Sequence, residues 1–199
     1  MEKLKDRLDY LNGLIDKYQK QLKKKEQRPS GCYSWETEDE SIVQLREKIY
    51  QLFDEVSKIE KTLVIVDKEP IICSERIDLY KTDQNPKGYY IVCLSGTKTI
   101  IGEVGCNNEN NNIHYVIDQE YQNNGYGFQA VVTMLNYLVL SGIENIEILI
   151  KKENAISIKM AEKLKNIFPN FSENIMDDYL MYHFCLRKKK NKEDNISYK

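Results

Sequence analysis

The chain has 199 residues, 41% of them hydrophobic and 30% charged, with a formal net charge of -2. That length and apolar content allow one sizeable core plus a smaller appendage. The near-neutral balance gives no global reason to expect a nucleic-acid partner. The first residues, Met1-Glu2-Lys3-Leu4-Lys5-Asp6, lack the apolar centre of a signal peptide, and no apolar run reaches the length of a bilayer span. A cytoplasmic protein without a membrane partner is therefore expected. Cys32, Cys73, Cys93, Cys106 and Cys185 form an odd set without close pairing, which suits reduced thiols and not a disulfide framework. With His114 and His183 the only histidines, no metal site is expected.

Residues 2 to 27 predict a helix. Leu4, Leu8, Leu11, Ile15, Tyr18 and Leu22 recur at four and three residues, a heptad seam. Arg28-Pro29-Ser30-Gly31 stops it. A second seam, Ile42, Leu45, Ile49, Leu52, Val56 and Ile59, is entered near Thr37 to Ser41. Equal lengths predict a helical hairpin over 1–60, with lysines on the first helix facing acids on the second. Coiled-coil pairing into a homodimer, through these helices or through a sheet, is a second arrangement open to the same seams.

Residues 61–187 read as one further domain, and 188–199 as a basic flexible tail beginning near Arg187-Lys188-Lys189-Lys190. Thr62 to Val66 is a β-branched run and reads as a strand. Ile71 to Tyr80 is ambiguous, and Asp83 to Gly88 is a turn. Tyr89 to Ser95 and Lys98 to Cys106 form a hairpin around Ser95-Gly96-Thr97. After the asparagine-rich loop at Asn107 to Asn112, Ile113 to Ile117 returns as a strand.

Gln122-Asn123-Asn124-Gly125-Tyr126-Gly127-Phe128 cannot continue that strand. Ala130, Val131, Met134, Leu135, Leu138 and Val139 then follow at helical spacing, up to a stop at Ser141-Gly142. Glycines one residue apart at the mouth of a helix let the backbone approach an anion, which the unpaired first-turn amides can face. A phosphate-bearing ligand is the functional expectation; a plain connecting turn is the alternative. No lysine followed by Ser or Thr closes the turn as nucleotide hydrolysis requires, and antiparallel strands precede it where a dinucleotide fold needs a parallel unit. Ile146 to Ile150 is an apolar strand suited to the centre of a sheet. Asn154 then starts a helix that Phe168-Pro169 ends, and Asp178 to Leu186 alternates with period two.

The stretch Gln122, Gly125, Gly127 resembles the cofactor loop of the GNAT superfamily of acyl-CoA-dependent N-acyltransferases: Gln or Arg, two residues, Gly, one residue, Gly or Ala. The resemblance covers residues 88 to 186 and leans toward the branch that looks like ribosomal-protein N-terminal acetyltransferases. It implies an α+β fold of three αβα layers around a mixed, mostly antiparallel sheet. It also implies acetyl-CoA as cofactor, held by the backbone of Ile117 and by Gln122, Asn123, Asn124, Gly125, Tyr126, Gly127 and Phe128. Asn154, three residues before Ser157, matches the Asn that bonds the pantetheine arm in relatives; capping its own helix is the simpler role. Many relatives carry a Tyr acid seven residues after that Asn, where this chain has Ala161.

Direct transfer needs a neutral amine beside the thioester carbonyl. Glu103, on the strand next to the cofactor strand, is the leading general base. Strand alternation would put Ile101 and Glu103 on one face and Gly102 and Val104 on the other, and the flanking glycines would leave an open, weakly hydrated spot. His114 is the second candidate base because imidazole titrates near neutrality. Tyr115 and Tyr126 are hydroxyl donors, and His183 is assigned a structural role. The acceptor is expected to be an amine, on a protein or a small molecule.

Overall fold

A computed structural model of the chain describes residues 1–27, 40–81 and 87–186. The helix stop at Arg28 to Gly31, the helix entry at Thr37 to Asp39, Cys32, most of the turn at Asp83 to Gly88 and the basic tail lie outside the described residues. The chain divides into two units, Met1–Asp67 and Lys68–Lys199.

The first unit is an antiparallel pair of helices, α1 (Glu2–Glu26) and α2 (Glu40–Ile65). The heptad seams meet. Leu11, Ile15 and Val56 are buried together, with Leu8, Leu52 and Ile59 packed around them. Two exposed ion pairs fix the direction: Arg7–Glu55 at 2.8 Å joins the start of α1 to the end of α2, and Glu26–Arg46 at 3.0 Å joins the opposite ends. At such exposure each contributes under about 1 kcal/mol, so the apolar seam holds the pair.

The strand expected at Thr62 to Val66 is instead the last turn of α2. Val56, Ile59 and Leu63 continue the three-four spacing. Extending an existing helix costs far less than nucleating a new element, so β-branching alone does not end it.

The second unit opens with β1 (Ile72–Cys73) and β2 (Ile77–Tyr80), which resolve the ambiguous stretch as a small hairpin. It continues with β3 (Gly88–Leu94), β4 (Ile100–Cys106) and β5 (Ile113–Ile117). These form one five-stranded antiparallel sheet in chain order. After α3 (Tyr126–Leu140) come β6 (Asn145–Lys151), α4 (Ala155–Ile167), β7 (Phe171–Ile175) and β8 (Tyr179–Cys185). The last three strands pair antiparallel in the order β6-β8-β7. The core lies around α3, where Ala130, Val131, Met134, Leu135 and Leu138 meet Leu79, Tyr90, Val92 and Val104 from the first sheet and Ile146, Ile148 and Ile150 from the second.

The two sheets touch at one end only. A single parallel bridge joins Asn112 to Glu147, supported by the Glu147 amide on the Asn111 carbonyl (3.0 Å) and the Asn111 side-chain amide on the Asn145 carbonyl (2.9 Å). This bridge makes the architecture mixed. Beyond it β5 and β6 part, so β6 is an edge strand of a small sheet and not the centre of a large one. Its apolar side chains are buried on one face only. No helix among the described residues is long and apolar enough to cross a membrane.

Candidate functional site

A cleft of about 570 Å³ lies between β5 and the start of α4, within the usual range of roughly 300–1,000 Å³ for small-molecule sites. Tyr115, Val116 and Ile117 of β5 form one wall; Asn154, Ile156, Ser157, Lys159, Met160 and Lys163 of α4 form the other. The turn between β5 and α3 closes one end through Gln122, Asn123, Gly125, Tyr126, Gly127 and Phe128.

The turn is built by conformations that few residues adopt. Asn123 has φ +61° and Gly125 φ +81°, so the chain reverses through two left-handed residues before α3 begins. Gly125 caps α3 without a side-chain hydrogen bond, and the first helical bond runs from the Gln129 amide to its carbonyl (3.1 Å). The amides of Tyr126, Gly127 and Phe128 therefore have no partner inside the helix. Gln122 folds back so that its side-chain amide donates to the Ile117 carbonyl (2.8 Å). That carbonyl faces away from β4, and strand geometry puts the Ile117 amide on the same outward edge. At Gly127 a Cβ would stand 2.9 Å from Cε2 of Tyr115, so glycine is what lets the aromatic ring lie under the helix start.

On the opposite wall Asn154 caps α4, its side-chain oxygen accepting from the Ser157 amide (3.0 Å). Its side-chain nitrogen stays available to a ligand. The Tyr115 hydroxyl lies 3.2 Å from Oγ of Ser157 and so spans the cleft floor. Lys159 and Lys163 line the cleft and no carboxylate does, so the cleft is cationic. No cysteine lines it either. Burial, followed by the Asp78 charge, pushes the Cys93 thiol up to about 12, and burial raises Cys106 as well.

Of the residues expected from sequence, Tyr115, Ile117, Gln122, Asn123, Gly125, Tyr126, Gly127, Phe128 and Asn154 converge on this cleft. Asn124 does not line it; its carbonyl accepts from the Arg76 guanidinium (3.1 Å). Glu103 and His114 stand outside the lining, on the other face of the same strands. Glu103 is half-buried, opposite Ile91 on β3 and Val116 on β5, and Val116 reaches the cleft rim. The expected partition of β4 fails at Ile101. The register slips between Val92 and Cys93, whose partners are Gly102 and Ile100, so Ile101 is the extra residue of a bulge and joins Val104 in the core.

The open spot expected around Gly102 and Gly105 is filled. A side chain at Gly102 would strike the Val116 carbonyl, and one at Gly105 would strike the His114 ring. His114 thus occupies the volume that Gly105 leaves, tilted against Tyr89 with ring centroids 4.3 Å apart. Its Nε2 is buried without a hydrogen-bond partner. Burial lowers its proton affinity and the nearby Glu103 charge partly restores it. His183 pairs with Glu147 through Nδ1 at 3.2 Å, away from the cleft.

Sequence reasoning missed Arg76, Lys159 and Lys163. The lysines carried a readable signal, since cations four residues apart share a helix face just after the Asn154 cap.

The model of the acetyltransferase (GNAT) domain matches residues 32–165, about two thirds of the chain, taking in α2 as well as β1 to α4. Solved structures resemble it at low identity. An acetyltransferase from Agrobacterium tumefaciens is 13% identical with TM-score 0.47, over 59% of this chain and 95% of that one. A domain from Methanocaldococcus jannaschii is 21% identical with TM-score 0.42, over 52% and 69%. The ribosomal-protein-S18-alanine N-acetyltransferase of Escherichia coli is 13% identical with TM-score 0.42, over 58% and 77%. No curated protein sequence matches significantly.

Proposed function

The chain belongs to the GNAT acetyltransferase family, and on that premise we propose that it moves an acetyl group from acetyl-CoA directly to a primary amine. The observation that carries the proposal is the cleft between β5 and α4, cationic and free of carboxylates, closed by a left-handed glycine turn whose helix-start amides are unpaired. A pyrophosphate fits the backbone of Gly125 to Phe128. A pantetheine arm fits the outward edge of β5 at Ile117, with Asn154 opposite.

Acetyl-CoA, when bound, supplies an activated thioester carbonyl. The chain's own residues then have two tasks. Glu103, beside Val116 at the cleft rim, accepts the proton of the incoming ammonium, directly or through water, because an ammonium has no lone pair. Tyr115, hydrogen-bonded to Ser157, holds a hydroxyl proton in the cleft for the departing thiolate, since Ala161 has none to give. The thiol-free lining supports direct transfer over an acyl-cysteine route. A peptide N-terminus is the first acceptor to try, because the resemblance leans toward the ribosomal-protein-like branch.

Isothermal titration with acetyl-CoA and coenzyme A, followed by an amine panel that records thiol release, tests this. Binding with acetyl transfer to at least one amine is expected. Binding without turnover on any amine would instead make the chain a non-catalytic acyl-CoA-binding protein. No binding at all would leave the helical hairpin as its working part.

A further inference from the structure

Arg76 lies in the turn between β1 and β2, far in sequence from the cofactor motif, yet it reaches the glycine turn. Its guanidinium donates to the Asn124 carbonyl at 3.1 Å and sits 4.5 Å from the centre of the Tyr126 ring. A Cβ on Gly125 would lie 3.8 Å from its Nη1, so the cation stands directly beside the left-handed glycine. The residue is exposed. One of its five N–H groups is used by the Asn124 carbonyl, and a fork of donors is left over.

We propose that Arg76 is a phosphate-contacting residue of the acetyl-CoA site, supplying from outside the motif the guanidinium that the motif itself lacks. This rests on the reading of the cleft as an acyl-CoA site. Two facts favour a ligand role over a purely structural one. Gln122 holds the motif position that Arg can fill, and its amide is turned inward to Ile117, so it brings no charge to the turn. The aromatic face of Tyr126 and the Asn124 carbonyl fix the guanidinium before a ligand arrives, which lowers the ordering cost of a planar, bidentate phosphate contact. Arg76 stands beside the turn, and Lys159 and Lys163 line the α4 wall of the cleft that the turn closes. The shared chemistry is a phosphate ester oxygen, from the pyrophosphate or from the 3′-phosphate.

Titration of wild type, Arg76→Gln and Arg76→Lys with acetyl-CoA, 3′-dephospho-acetyl-CoA and S-acetylpantetheine tests the assignment, each over a range of salt. Gln keeps a polar amide but carries no charge. Arg76→Gln is expected to weaken acetyl-CoA at least tenfold and to flatten the salt dependence of its affinity, because one fewer exposed cation faces the phosphates. Lys should recover the salt dependence but only part of the affinity, since it restores the charge and not the planar, bidentate contact. A deficit that persists with the dephospho ligand assigns Arg76 to the pyrophosphate, and one that vanishes assigns it to the 3′-phosphate. Unchanged acetyl-CoA affinity, or a loss with an unchanged salt slope, overturns the proposal and reduces Arg76 to a brace for the turn. A wild-type protein that binds none of the three ligands overturns the reading of the cleft itself.

Discussion

On one face of β4 and β5, Tyr115 and Ile117 border the cleft, where the binding groups are mostly backbone: the amides of Tyr126 to Phe128 and the outer edge of β5. On the other face, Glu103 and His114 stand beside Tyr89, and everything depends on side chains and their protonation. The first region tolerates change wherever glycine and the left-handed conformation survive, because the amides are common to all residues. The second has no such reserve, since the proposed proton transfer would rest on a single carboxylate or imidazole. A chain can thus keep its cofactor turn while losing its chemistry.

The sharpest test of that contrast is Glu103→Gln, which preserves shape and removes the base. Turnover near neutral pH should fall by roughly 10²-fold or more, while acetyl-CoA affinity stays within about threefold. The deficit should shrink as pH rises, because more acceptor arrives already neutral. Equal turnover across the pH range would move the base to His114 or to solvent.

Gly125→Val reverses the pattern. A β-branched residue resists φ +81° and its side chain would point toward the Arg76 guanidinium. Coenzyme A should bind at least tenfold more weakly in a variant whose melting temperature shows it folded; unaltered affinity would remove the turn from the site.

Tyr115→Phe keeps the ring beneath Gly127 and deletes the hydroxyl that meets Ser157. A fall in turnover of roughly tenfold at constant acetyl-CoA affinity is expected if that hydroxyl serves the departing thiolate, an effect at or below the usual general-acid range. A loss of affinity instead would assign Tyr115 to binding alone.

The smallest effect concerns His114 and stability. Burial sets its native proton affinity below the ordinary value of 6.5, so the unfolded chain binds more protons in the window between the two. Its contribution is complete above that ordinary value and is lost as pH falls through the lowered native one. Wild type should therefore lose more melting temperature than His114→Asn between about pH 7.5 and pH 5, a window set by the imidazole reference value. Parallel declines would mean that the imidazole is not held neutral.

The two regions also differ in how far the sequence discloses them. Gln122, Gly125 and Gly127 lie within six residues, and the turn they mark is local, so spacing alone exposed it. Asn154 was legible for the same reason, as a cap read from its own helix. Arg76 was not, because it meets Asn124 across 48 residues only after β1 and β2 have folded as a hairpin. The bulge at Ile101 was hidden too, since the slip arises from pairing with β3 and leaves no mark in β4 itself. Strand β7 escaped notice because all five of its residues are exposed, so no face is apolar and no periodicity results. The end of α2 was misread where β-branching and the heptad seam conflicted, and the seam prevailed through packing.

The single bridge at Asn112 has a further consequence. Beyond it, among the described residues, β5 pairs with no strand on its outer side, and the cleft runs along that edge. A thin, amide-bearing arm lying there would act as a further rung on β5. Its capture would then show as slowed amide hydrogen exchange along 115–117 and 126–128, with β1 to β3 unchanged, and as a melting temperature that climbs with the logarithm of ligand concentration.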